Sequence, residues 1–169
     1  MSTLPHLAAG LRIDRLDPGK PQDAADLVRL LDAYARDPAG GGTPLSAEVQ
    51  ARLPAVLKAR PHYAGWLARE EGVAIGLVNA FEGVSTFKAQ PLLNVHDIVV
   101  DAAYRGRGVG RALLAAVEAE ARGRGCCKLT LEALEGNLGA IALYQRFGFE
   151  AYALDPALGQ AVFFEKWLH

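Results

Sequence analysis

The sequence predicts an α+β fold, a mixed sheet flanked by helices. Two patterns carry that expectation. Strand-like runs stand back to back in the middle of the chain, "YAGWLARE" and "VAIGLVNAF". From Leu92 onward, strand, helix, strand, helix and strand signals follow one another. Length is the third observation: 169 residues bury a substantial core as one domain, 1–169, without staples.

Each element has its own local reason. "LRIDRL" alternates and reads as a first strand. Leu27, Leu30, Leu31 and Tyr34 recur at helical spacing, so a helix is expected from Pro21 to Ala35. "RDPAGGGTPL" breaks it and reads as an exposed, flexible loop. Ser46 is placed to cap a second helix running to Lys58. "EG" joins the two central strand-like runs as a tight hairpin. "LLNVHDIVV" ends almost wholly apolar, as does a strand buried on both faces. A helix from Gly110 to Arg122, a strand "KLTLEAL" and a helix from Asn137 to Phe147, stopped by Gly148, come next. "EAYAL" and "AVFFEKWL" are expected as closing strands around the turn "DPALGQ".

Eighteen basic residues against nineteen acidic give no global field for nucleic acid or an anionic membrane. Attraction for anions must therefore be local. Cys126 and Cys127 are adjacent, a poor geometry for a disulfide, and read as small buried hydrophobes in a reducing compartment. The N-terminus lacks the pattern of a secretion signal, and no apolar run reaches the roughly 18 residues of a membrane helix. A cytoplasmic location is expected.

The local attraction is found in "YRGRGVGRALL", where a glycine-rich turn leads from a strand into a helix. Such a turn exposes backbone N–H groups beside the positive end of the helix dipole, a setting that holds phosphate. Arg105, Arg107 and Arg111 add charge-assisted donors. The nucleotide P-loop is excluded because Arg111-Ala112 stands where Lys-[Ser/Thr] is needed, and the spacing of the dinucleotide fingerprint also fails.

Arg105-Gly106-Arg107-Gly108-Val109-Gly110 matches R-x-x-G-x-G, and the stretch resembles the central motif of the GNAT family of N-acetyltransferases. "LEALEGNLGAIALYQRFGF" resembles that family's second motif, so the likeness spans Leu92 to Phe149. The resemblance implies a mostly antiparallel central sheet with a splayed parallel strand pair, in three α/β/α layers. It also implies acetyl-coenzyme A as cosubstrate, its pyrophosphate on Arg105 to Arg111 and its pantetheine along Ile98, Val99 and Val100. Asn137, Ala140 and Tyr144 then face the cofactor. The expected partner is an amine acceptor, small molecule or peptide, with no nucleic acid or membrane and with homodimerisation left open.

Acetyl transfer from a thioester to an amine needs a proton taken from the amine, a donor for the oxyanion and a proton for the leaving thiolate. Tyr144 lies seven residues beyond Asn137, about 10 Å along the same helix face. The resemblance gives its phenol the thiolate's proton; the alternative is a packed core tyrosine. For the base, strand alternation puts Asn94, His96 and Ile98 on one face and Val95, Asp97 and Val99 on the other. His96 and Asp97 should therefore form no dyad. Histidine is the side-chain type whose ordinary pKa lies near neutrality, so His96 is a candidate, as is Glu132, whose place matches a glutamate base in some relatives; a water relay is the third option. Asp97 reads as structural. His6, His62, His96 and His169 share no ligand spacing, so no metal is expected. Residues 36–45 read either as a lid over the acceptor or as a surface linker, and Phe81 and Phe87 as pocket lining or core. A noncatalytic coenzyme A sensor is the rival function; an RNA-binding module lacks the basic face and aromatic motif it needs.

Overall fold

The computed structural model describes residues 10–152, 155, 157, 159 and 161–168. The chain divides after Leu131 into two compact units.

The first unit is built on a five-stranded sheet in the order β1-β2-β3-β4-β5. Its strands are β1 (Leu11–Arg15), β2 (Tyr63–Glu70), β3 (Val73–Ser85), β4 (Gln90–Val100) and β5 (Leu129–Leu131). Every neighbouring pair is antiparallel except β4 with β5. Glu71 and Gly72, both at positive φ, make the tight β2–β3 turn, the backbone that Gly adopts without strain.

Helix α1 (Pro21–Arg36) starts with proline in its first turn, and α2 (Ala47–Lys58) starts with the Ser46 hydroxyl accepting from the Val49 N–H at 3.2 Å. Both cover one face of the sheet: Leu27, Leu30 and Leu57 pack with Leu67, Leu77 and Val99. Helix α3 (Val109–Gly123) covers the other face through Val109, Leu113, Leu114 and Val117. Gly76 explains how closely it approaches. A Cβ there would lie 3.1 Å from Val109 Cγ1 and 3.2 Å from Leu113 Cδ1. The three expected layers are thus present within this unit.

Burial of charge also fixes α1 on the sheet. Asp26 is 6% exposed and takes Arg69 Nη1 of β2 at 2.8 Å, while Arg69 Nη2 reaches Asp23 at 2.9 Å. Burial pushes the Asp26 carboxyl up, but hydrogen bonds from Gln22 and Arg69 and the charges of Arg69 and Arg29 outweigh it and hold the group below its usual range.

In the second unit, α4 (Leu138–Phe147) is capped by Asn137 and ends at Gly148, φ +106°. The expected closing strands are corrected here. Ala161–Leu168 forms no strand, and Phe163, Phe164, Trp167 and Leu168 are exposed. A strand needs a ladder as well as an apolar run, and among the described residues the backbone bond joining this segment to the preceding one is a long one, Ala161 N–H to Tyr152 C=O at 3.4 Å. Part of "EAYAL" and of its turn lies outside the described residues. The strand expected over "KLTLEAL" stops at Leu131. Cys127, expected to be buried, is exposed ahead of it.

Arg69→Ala should cost about 2–4 kcal/mol, because it removes the cation that Asp23 and Asp26 share and leaves Asp26 only its longer contact with Arg29 at 3.5 Å. Urea unfolding measures this. The stabilisation from Asp26 is present above the ordinary carboxylate pKa and fades as pH falls through its depressed folded value, so the wild type should lose stability only below about pH 4.

Candidate active site

Strand β4 and the turn after it hold most of the residues singled out in the sequence. Asp101 caps a 3-10 turn, Ala102–Tyr104, with its carboxylate accepting from Ala103 N–H at 3.2 Å. The chain then turns through Gly106 (φ +75°) and Gly108 (φ +82°) into α3. A Cβ at either glycine would meet nothing within 4 Å, so what demands glycine here is backbone conformation. No side chain among the described residues caps the start of α3, in contrast to α2 and α4. Its first N–H groups, at Val109, Gly110 and Arg111, thus form a donor cluster at the positive end of a 15-residue helix.

The loop arginines are held by carboxylates from distant segments. Arg105 Nη2 reaches Asp37 at 3.2 Å while its Nε donates to the Val100 carbonyl at 3.1 Å. Arg107 Nη2 reaches Glu70 at 2.6 Å and its guanidinium stands 5.1 Å from the Tyr104 ring centre. The Ala39 N–H and Arg105 hold the Asp37 carboxyl below its usual range against the opposing effect of burial. The segment 36–45, expected to be loose, is therefore tied: Asp37 caps a 3-10 turn over Pro38–Gly40, and Tyr34 Oη donates to the Ala39 carbonyl at 3.2 Å.

Strand β4 pairs with β5 only over Leu93–Val95. Beyond that, the β5-side edge of His96–Val100 has no strand partner among the described residues. On the β3 side the register jumps: Asn79 opposes Asp97, and Ala80 opposes Val95. His96 is the extra residue of a β-bulge. That overturns the expected alternation. Paired residues share a face, so Asp97 lies with Asn79, and Asn94 with Phe81, while Ile98 lies with Val78 on the opposite side. His96 is exposed and its ring meets Phe81 edge-on at 5.5 Å, which brings it to the side of Asp97. No hydrogen bond joins the two. The absence of a dyad is as expected, though not for the reason of opposite faces. Phe81 packs against the α1/α2 core, whereas Phe87 is 94% exposed and no part of the core.

A polar chain missed in the sequence runs through the bulge. Tyr63 Oη donates to Asn79 Oδ1 at 2.8 Å, and Asn79 Nδ2 donates to Asp97 Oδ2 at 2.9 Å. Asn79 is 1% exposed. Burial and then the charge of Asp97 push the Tyr63 phenol far above its ordinary value, and the same two causes raise Tyr34. The available signal was the lone amide of "GLVNAF", a polar residue inside an apolar run.

Within the second unit, Asn137 Oδ1 accepts from Ala140 N–H at 3.2 Å, which leaves its amide NH2 as the donor. Tyr144 is 8% exposed, its ring 6.0 Å from that of Phe149. Glu132 is exposed and lies past the end of β5, so its expected strand-face position is not formed. His6 and His169 lie outside the described residues; His62 Nδ1 stands 3.9 Å from Glu82.

Residues 26–149 match the model of the acetyltransferase (GNAT) family, and the chain belongs to that family. It is similar to streptothricin acetyltransferase of Streptomyces lavendulae, 38% identical over 52% of this chain and 46% of that one. The chain spans about half the length of such curated relatives. An aminoglycoside acetyltransferase from an uncultured soil metagenomic sample, solved with sisomicin, shares the fold at 19% identity, TM-score 0.78, over 95% of this chain and 97% of that one. An aminoglycoside N-acetyltransferase solved with CoA does so at 20% identity, TM-score 0.71, over 92% and 94%.

Tyr63→Phe should cost about 1–2 kcal/mol in urea unfolding, since it strips the buried Asn79 oxygen of its donor. The rise in phenolate absorbance up to about pH 11 should match the wild type, because Tyr63 does not ionise where ordinary tyrosines do.

Proposed function

We propose that this chain is an acetyl-coenzyme A-dependent N-acetyltransferase, transferring acetyl directly to the amine of a small molecule or peptide in a ternary complex. The observation that carries the reading is the start of α3 behind Gly106 and Gly108, without a side-chain cap, continuous with the β4 edge over 96–100 that has no strand partner among the described residues. The first suits a pyrophosphate and the second suits the amides of a pantetheine arm, which need an open strand edge for hydrogen bonding. A family neighbour solved with CoA supports the choice of cosubstrate.

In this reading Arg105, Gly106, Arg107, Gly108, Val109, Gly110 and Arg111 hold the phosphates. Phosphate oxygens compete with Asp37 and Glu70 for the two arginines. Ile98, Val99 and Val100 align the arm, and Asn137 and Ala140 are assigned to the cofactor. The amine nitrogen attacks the thioester carbonyl carbon, the C–S bond breaks, and the electron pair leaves on sulfur. The proton lost by nitrogen passes to His96, directly or through water, with Glu132 as the alternative acceptor. Tyr144 protonates the thiolate and recovers its own proton from solvent. Residues 1–169 act as one acetyltransferase domain, located in the cytoplasm.

Release of free thiol from acetyl-coenzyme A, dependent on an added amine from a panel of primary amines, tests the reading. Coenzyme A binding without amine-dependent release would leave a sensor. Gly108→Asp should weaken coenzyme A at least tenfold, about 1.4 kcal/mol by calorimetry, with the circular dichroism of the fold retained. Tyr144→Phe should slow the single-turnover chemical step by about 10²–10⁴ while coenzyme A affinity stays nearly unchanged.

A further inference from the structure

Asp97 is an unusual carboxylate. Its Oδ2 is fixed by the Asn79 amide, which the Tyr63 hydroxyl fixes in turn. Its Oδ1 takes no hydrogen bond from the described residues, and the group takes no ion pair from them. No buried side-chain oxygen or nitrogen among the described residues lacks a partner, so Oδ1 is open to solvent. Around the bulge stand Tyr63, Phe81 and His96, all aromatic, and Tyr34 packs on the same core cluster as Tyr63 and Phe81. A half-buried anion oriented from beneath by two neutral groups and walled by rings lacks one thing, a cation. Were the carboxylate present only to brace the bulge, a neutral amide would satisfy Asn79 without the cost of desolvating a charge.

We propose that Asp97 is an acceptor-positioning residue, whose outward oxygen binds the ammonium of a primary-amine acceptor. The acceptor's apolar body lies against Tyr34 and Phe81, where ring faces add cation–π attraction. The bulge is what makes this possible. By looping out His96 it turns Asp97 onto the face of Asn79 and sets the ammonium next to the imidazole that receives its proton. Tyr34 also holds the Ala39 carbonyl, so segment 36–45 forms one wall of the acceptor site. Acceptors without a protonated nitrogen are discriminated against, because they leave the carboxylate desolvated and unpaired.

The proposal rests on the acetyl-transfer reading but is tested apart from it. The full chain, with and without coenzyme A, is titrated with 2-phenylethylammonium and with the neutral isostere 2-phenylethanol. The readout is the Asn79 side-chain amide resonances by NMR. The ammonium should shift them and the alcohol should not. In Asp97→Asn the ammonium should bind at least about tenfold more weakly, the scale of a charge-assisted hydrogen bond. Asp97→Glu should recover part of that. Equal responses to amine and alcohol, no response to the amine, or unchanged amine affinity in a folded Asp97→Asn would each overturn the assignment. If Asp97→Asn fails to fold, the wild-type comparison of amine with alcohol decides. Coenzyme A binding is read separately by calorimetry. Its failure would bring down the transfer reading and leave the Asp97 result legible.

Discussion

Strand β4 has to satisfy two neighbours on different terms, and the candidate site depends on that asymmetry. Against β3 it is paired along Gln90–Val100, interrupted by one bulge; against β5 it is paired over Leu93–Val95 only. The long antiparallel ladder makes β4 rigid. The short parallel one leaves its last residues without a strand partner on that side among the described residues. Those residues lead directly into the glycine turn and the bare start of α3. A site on a fixed strand and a fixed helix needs little reordering when a ligand arrives, which is why such positions hold reacting groups more precisely than a free loop.

Charge in this protein is arranged locally rather than globally. With a formal net charge of −1 there is no broad field, yet Arg105 and Arg107 are brought together at one turn. Each is paired with a carboxylate from far along the chain, Asp37 and Glu70. These exposed pairs are worth little to stability, since water screens them and long side chains lose entropy in forming them. Their consequence is positional: they hold the guanidinium groups near the turn and link it to segment 36–45 and to the end of β2. The Asp26–Arg69 pair is different. Removed from water on both sides, it locks α1 to β2, and α1 carries Tyr34, which packs on the same core cluster as Tyr63 and Phe81.

Most of the first unit was legible in the sequence because its signals are short-range. Pro21, the Ser46 cap, the Glu71-Gly72 turn and the Gly106/Gly108 pair each act within a few residues of themselves. The family resemblance rested on the same kind of signal, two motifs of fixed spacing. The closing strands failed for the opposite reason. "AVFFEKWL" has strand composition, but strand formation belongs to a ladder, and the exposed rings of Phe163 and Phe164 show that the segment has not found one.

The sequence by itself determined the glycine turn, the helices and their caps, and the identity of β4 as the strand that leads into the turn. Only the tertiary structure decided which side chains of β4 share a face. A bulge is a relation between two strands, so "NVHDIVV" alone gave regular alternation and put Asp97 on the face opposite Asn94, which the bulge reverses. Tyr63, Asn79 and Asp97 come from three strands, and Arg105 meets Asp37 across 68 residues of chain. Convergences of that kind are set by sheet register and helix packing, which no local spacing encodes.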